Sequence, residues 1–489
     1  MNYKTLGYNQ SLSLLTDLYQ LTMAYGYWKS GMKDKEAVFN LYFRKNPFQG
    51  GFTVSCGLEY VIDYLNNFTF DPSDIEYLSS LTGNDNKPLF EKDFLDYLKD
   101  LKFTCDIDAI PEGNVVFPNQ PLIRVKGNLI QCQLIETPLL NIINFQTLIA
   151  TKSARVCLAS KGDPVLEFGL RRAQGIDGGI AASRAAYIGG CSATSNVIAG
   201  KLFGIPVKGT HAHSWVMSFE SEIEAFDTYA NAMPNNCIFL VDTYNTIEGV
   251  KKAVEAGKRL ESKGYKLAGI RLDSGDLAYL SIEARKILDE GGFKDAAIVA
   301  SNDLDENIIA SLKDQNAQVN VWGVGTKLVT AYDQPALGGV YKLAAIKEPN
   351  GDWKYRVKLS EQFIKISTPG IQQVRRFSNN EGHIGDMIFN TMNPPSNNFT
   401  IIDPMDQTRM KTFSKDDKFE DLLKPIFVNG QCIYESPSIG EIRNKTQDNL
   451  KMFHSGIKRF VNPHQYPVGL EKSLHDMKTD LILHLRGLN

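Results

Sequence analysis

The chain has 489 residues, of which 43% are hydrophobic and 22% charged, and its formal net charge is −3. That length exceeds one ordinary core and predicts two or three globular domains, while the balanced charge excludes the basic footprint of a nucleic-acid binder. No apolar run approaches the ~20 residues of a membrane span, and the seven cysteines (Cys56, Cys105, Cys132, Cys157, Cys191, Cys237 and Cys432) are scattered without a CxxC pair, which predicts a cytoplasmic protein with reduced thiols and neither a disulfide framework nor a zinc site.

In chain order, Leu12–Lys29 reads as an amphipathic helix, because Asp17, Gln20 and Lys29 interrupt its apolar residues. Residues 1–145 continue as an α/β mixture, with a strand over Glu36–Arg44 and turns at Pro111–Gly113 and Pro118–Pro121. The pattern then changes. Short apolar or β-branched runs recur at Pro164–Gly169, Ile205–Gly209, Cys237–Asp242, Leu267–Asp273, Ala296–Asn302 and Val319–Thr326. Helical patterns separate several of them, at Thr246–Ser262, Leu277–Glu290 and Leu304–Gln315. Strand and helix alternating at roughly thirty-residue spacing predict a parallel sheet. Six such units suggest an incomplete or irregular β/α barrel over 146–340. No GxGxxG opens the first unit, which weighs against a dinucleotide-binding sheet. Residues 341–440 return to strands and loops (Lys354–Leu359, Met387–Phe389, Ile426–Ile433), so 1–145 and 341–440 are expected to form one discontinuous α/β flanking domain. Residues 441–489 read as a helical C-terminal tail.

Polar residues end each run: Arg171 and Arg172; Thr210, His211 and His213; Asp242; Arg271, Asp273 and Asp276; Ser301 and Asn302; then Gly323, Gly325 and Thr326. In parallel α/β folds ligands bind at the carboxyl ends of the strands, so these side chains would share one edge. Each group alone could be a helix cap, but capping alone does not call for three arginines and two histidines beside the aspartates. The turn Gly323–Lys327 lets backbone N–H groups approach a phosphate. A metal centre at His211 and His213, as in a metal-dependent barrel hydrolase, would need further imidazole ligands, and only seven histidines exist. Alternation on a strand would put the two histidines on one face, whereas a turn after Gly209 would separate them. General base and nucleophile toward phosphorus both stay open.

Taken together, Thr16–Met23, Phe168–Gly175, Gly209–Thr210 with Ala212–Ser214, Ile270–Asp276, Gly325–Thr326, Gly338–Leu343 and Asn462–Leu470 resemble the nicotinate phosphoribosyltransferase family over nearly the whole chain. The resemblance implies ATP-coupled transfer of phosphoribosyl from phosphoribosyl pyrophosphate (PRPP) to nicotinate, with Mg²⁺ carried on the polyphosphates rather than by a protein metal site. It implies a phosphohistidine at His213; a dissociative phosphoribosyl transfer builds positive charge on the ribose, which makes Asp242 and Asp273 the candidate catalytic carboxylates. Phe168 and Tyr19 would sandwich the pyridine ring, Tyr19 coming from the second subunit of a homodimer. Arg171, Thr210 and Arg271 would surround nicotinate and the ribose phosphate, and Gly325 and Thr326 would hold the 5′-phosphate. A nicotinamide-using relative is the nearest alternative; it places a carboxylate where this sequence has Thr194–Val197.

Overall fold

The computed structural model describes residues 12–396 and 399–488; residues 1–11 of the first predicted segment lie outside them. The chain divides into two compact units, one running through Leu148 and resuming at Ala336, the other spanning Ile149–Pro335.

The discontinuous unit is α/β and is stitched by strand pairing between its two parts. Glu36–Tyr42 pairs antiparallel with Ile123–Asn128 on one side and with Val340–Lys347 on the other, within a seven-stranded sheet. A second sheet, of six strands, buries Phe377, Met387, Phe389, Phe399, Ile401 and Phe413 in one cluster. Two sequence expectations need correction here. The run Ile426–Ile433 is a tight hairpin of Lys424–Val428 and Gln431–Cys432, turned by Asn429 and Gly430 at positive φ. The tail is not wholly helical: between the helices Ile439–Lys451 and Lys472–Leu485, Val468–Glu471 inserts as a strand, parallel to Gly382–Asn390. A four-residue strand is too short to show against flanking helical periodicity. The first helix covers Leu18–Lys29.

The second unit holds a six-stranded, all-parallel sheet. Its strands are β1 (Val165–Glu167), β2 (Ala193–Thr194), β3 (Ile238–Leu240), β4 (Gly269–Leu272), β5 (Ala297–Ala300) and β6 (Val321–Val324), in spatial order β2-β1-β6-β5-β4-β3. Both faces are covered: Ile298 and Val299 point to opposite sides and are both buried. The crossover helices carry their own start signals. Asn245 accepts from Glu248 N–H to cap Thr246–Glu261, whose Val250, Ala253, Val254, Gly257 and Leu260 form one buried face at helical spacing. Asp276 and Asp305 cap Leu277–Glu290 and Glu306–Asp314 in the same way. The strand expected over Ile205–Gly209 does not form. Only Val207 bridges, to Thr194, and the ladder strand is Ala193–Thr194. Pro206, which lacks a backbone N–H, and Gly209 weaken that run as a strand.

Candidate active site

Because the six strands are parallel, the residues that follow them line one edge: Phe168–Arg171 after β1, Ser195 after β2, Asp242 and Thr243 after β3, Asp273 after β4, Ser301 after β5, and Gly325 with Thr326 after β6. The caps are Asp276 and Asp305, so Asp273 and Ser301 are not consumed in starting helices. Asp242 Oδ2 accepts from Asp273 N–H at 2.8 Å and from the Ser274 hydroxyl at 2.6 Å, while its Oδ1 is buried without a hydrogen-bond partner among the described residues. The Ser301 hydroxyl donates to Asp273 Oδ1.

The two histidines part company. His211 is 7% exposed and its ring packs edge-on against Tyr229. Its Nε2 accepts the Leu240 N–H at 3.3 Å, which places the proton on Nδ1, facing the Ala212 carbonyl. Burial pushes its pKa down to about 4, so it is neutral at physiological pH. His213, two residues on, opens the short helix His213–Met217 and its side chain is 39% exposed. Its Nδ1 lies 3.1 Å from the Thr243 hydroxyl and its Nε2 3.8 Å from Asp273 Oδ2. A proton on Nε2 faces the carboxylate and leaves the Nδ1 lone pair beside a hydroxyl. The opposite tautomer would aim a lone pair at an anion.

Arg271 donates from one terminal nitrogen to Thr210 Oγ1 at 2.7 Å, while its Nε is buried without a hydrogen-bond partner among the described residues. Burial, together with the nearby Arg171 guanidinium, pulls its pKa below the usual arginine value against the opposing pull of Asp273 and Asp242. Neither guanidinium is in an ion pair among the described residues, so both are available to an anionic ligand.

Phe168 follows β1 with its N–H donated to the Val324 carbonyl at 2.8 Å. A Cβ on Gly323 would meet the Phe168 ring at 2.8 Å, so glycine in β6 is what admits the ring. Beneath it lies Glu167, which is wholly buried. Its carboxylate accepts from the Thr194 hydroxyl at 2.6 Å, from the Ser183 hydroxyl at 2.8 Å and from Gly169 N–H. Asn196 is also fully buried, its Oδ1 capping the helix Val197–Phe203 and its amide nitrogen donating to Ser183. Of the expected site residues, Phe168, Arg171, Thr210, His213, Asp242, Arg271, Asp273, Gly325 and Thr326 thus belong to one unit. Tyr19 belongs to the other, on the helix Leu18–Lys29, where it is 49% exposed. Thr243 and Glu167 escaped sequence reasoning. A glutamate ending an otherwise apolar strand was the available signal for Glu167, since an acid in such a position needs partners to be buried.

Profiles of known families match in three consecutive blocks: the nicotinate phosphoribosyltransferase (NAPRTase) N-terminal domain over 14–144, the NAPRTase family over 165–352, and the C-terminal domain over 371–478. The sequence is 45% identical over 490 aligned residues to the nicotinate phosphoribosyltransferase of Bacillus subtilis, an alignment that spans 98% of this protein and 97% of that one. It is 38% identical to the Caenorhabditis elegans protein of the same name, over 94% and 92% of the two. The crystal structure of human nicotinic acid phosphoribosyltransferase superposes with a TM-score of 0.83 at 31% identity, over 95% of this protein and 99% of that one.

Proposed function

The chain belongs to the nicotinate phosphoribosyltransferase family, and on that premise we propose that it transfers phosphoribosyl from PRPP to the ring nitrogen of nicotinate, coupled to ATP through a phosphohistidine at His213. The six-stranded sheet then serves as the incomplete β/α barrel, with its carboxyl edge as the mouth. What carries the proposal is the placement of His213, partly exposed between the Thr243 hydroxyl and the Asp273 carboxylate, while His211 is packed away. Nδ1 attacks the γ-phosphorus, the N–P bond forms, and the bond to ADP breaks; the Nε2 proton stays opposite Asp273, which offsets the ring's new positive charge. In the transfer step the pyridine nitrogen attacks C1′ of PRPP and the C1′–O bond to pyrophosphate breaks. Asp242 and Asp273 bring negative charge toward the cationic sugar that develops. Water then cleaves the N–P bond and releases phosphate.

The remaining roles follow from charge and shape. Arg171 and Arg271 meet the anionic groups of nicotinate and PRPP, and the turn at Gly325 and Thr326 holds the 5′-phosphate. The unpartnered Asp242 Oδ1 is a hard oxygen donor that fits a Mg²⁺ carried in on the polyphosphates, whose charge the ion offsets. A homodimer is part of the proposal. Leu15, Leu18, Tyr19 and Met23 are 37–52% exposed, an apolar stripe that a second copy would cover, with Tyr19 stacking on the pyridine opposite Phe168. His211 has both nitrogens committed, so a hydrolase-type metal pair with His213 would first have to break them free.

Nicotinate is favoured over nicotinamide because the turn after β2 offers Ser195 and no free carboxylate: Asn196 caps a helix, and Glu167 is saturated by three donors. The test compares nicotinate and nicotinamide as acceptors, with PRPP, with and without ATP, by pyrophosphate release. Equal efficiency for the two acceptors would refute the selectivity. No PRPP-dependent product from either would refute the function.

A further inference from the structure

The proposed mechanism gives Glu167 no part, yet it is one of the most deeply buried acids of the protein, at 0% exposure. A carboxylate withdrawn from water costs several kcal/mol unless donors replace the solvent. Here three do: Gly169 N–H, the Thr194 hydroxyl and the Ser183 hydroxyl. Two of the three sit at the edge: Gly169 in the turn after β1, and Thr194 at the end of β2. Glu167 and Thr194 are the last paired residues of β1 and β2, so Phe168 and Ser195 each stand one step beyond the ends of adjacent strands. Beside the bond from Phe168 N–H to the Val324 carbonyl, Glu167 is the residue that ties these two positions to each other. Its side chain fixes Gly169 in the turn after β1 and Thr194 at the end of β2, and its backbone carbonyl accepts the Ser195 N–H at 2.9 Å. With its proton given to Glu167, the Thr194 hydroxyl keeps a lone pair for Asn196 N–H at 2.9 Å, which shapes the turn past Ser195. A carboxylate suits this place because both oxygens accept and neither competes as a donor.

We propose that Glu167 is the positioning residue of the pyridine pocket: it sets the spacing between the Phe168 ring and Ser195, and through that spacing the affinity for nicotinate. This rests on nicotinate being the acceptor. Glu167→Gln replaces one accepting oxygen by a donor, so the amide can serve either Gly169 N–H on one oxygen position or the hydroxyls of Thr194 and Ser183 on the other, but not both. A shift of the pocket walls by a fraction of an ångström raises the nicotinate KM about tenfold or more, since small displacements in a positioned site carry large kinetic costs. The labelling of His213 by ATP without nicotinate, which involves the opposite end of the edge, stays within about twofold, and the PRPP KM moves far less than the nicotinate KM, because the turn at Gly325 and Thr326 takes no hydrogen bond from the Glu167 side chain. Thr194→Val, which keeps the shape and deletes the donor, reproduces the KM rise; Thr194→Ser, which restores the donor, recovers most of it.

The measurement is steady-state kinetics of Glu167→Gln, Thr194→Val and Thr194→Ser with nicotinate and PRPP varied separately, alongside ³²P labelling and thermal unfolding. A nicotinate-specific KM rise in the first two, relieved in the third, is the expected outcome. An unchanged nicotinate KM, or a uniform fall of every parameter that follows lost folded protein, overturns the inference while leaving the proposed reaction standing. A wild-type protein that does not turn over nicotinate overturns both.

Discussion

Replacing each of the two central histidines by alanine separates packing from chemistry. His211 is 7% exposed, lies against Tyr229, and takes up the Leu240 N–H. His211→Ala removes a buried ring and orphans a buried donor, a loss of about 2–4 kcal/mol. For a unit the size of Ile149–Pro335 that corresponds to a fall in melting temperature of roughly 5–15 °C. His213, with its side chain 39% exposed and one hydroxyl contact, costs within about 1 kcal/mol on truncation. Activity should show the reverse order. His213→Ala loses acid-labile, base-stable ³²P incorporation from γ-labelled ATP and loses ATP stimulation, yet keeps slow ATP-independent transfer, because the phosphate turn and ring wall remain. His211→Ala, assayed below its melting transition, still takes label. Label persisting in His213→Ala, or lost in a folded His211→Ala alone, would refute the assignment. So would 3-phosphohistidine rather than 1-phosphohistidine in the ³¹P spectrum, for the choice of Nδ1.

Three further outcomes follow from the same geometry. Both His211 and His383 are held down to about 4 in the folded protein, by burial first and, for His383, by the Arg376 guanidinium as well. Their unfolded values near 6.5 lie higher, so the unfolded state takes up protons first. Each contribution is present above about pH 6.5 and drains away as pH falls toward 4, up to about 3 kcal/mol for His211 and about half that for His383, which solvent screens more. Denaturant midpoints that stay flat between pH 7 and 5 would contradict this. Arg271→Lys keeps the charge but loses the planar fork that offers Thr210 and an anion separate nitrogens, so the PRPP KM should rise about ten- to a hundredfold; an unchanged PRPP KM would remove Arg271 from the anion site. If Tyr19 completes the neighbour's pocket, equal amounts of the Tyr19→Ala and His213→Ala proteins re-equilibrate so that half the dimers are hybrids with one intact site in two, restoring about a quarter of wild-type activity. No recovery after verified subunit exchange would mean that each site is built by a single subunit.

Much of this was legible in the order of the residues. The beat of apolar runs and helical stripes from Pro164 onward marks five of the six strands and three of the helices between them, because period and caps are local properties. Ala193–Thr194 stayed hidden: two residues carry no period, and their pairing with Leu166 and Glu167 exists only once the sheet is assembled. Val468–Glu471 was masked in the same way by the helices around it. The polar strand ends identified the edge, since parallel topology forces them together whatever the details. Which of those polar groups are spent elsewhere could not be read locally. His211 and His213 are two residues apart and chemically identical in the sequence. Only the packing of Tyr229 and the Leu240 N–H around one of them makes it a neutral core residue, while the other stays open to solvent beside Asp273. Glu167 shows the converse: an acid in an apolar strand has no meaning until three donors, two of them from segments further along the sequence, arrive to satisfy it. Sequence determined which chemistry is available and on which edge it gathers, because those depend on residue type and periodicity. The tertiary structure decided which side chains remain free to perform it, because desolvation and hydrogen-bond saturation are set by neighbours distant in the sequence.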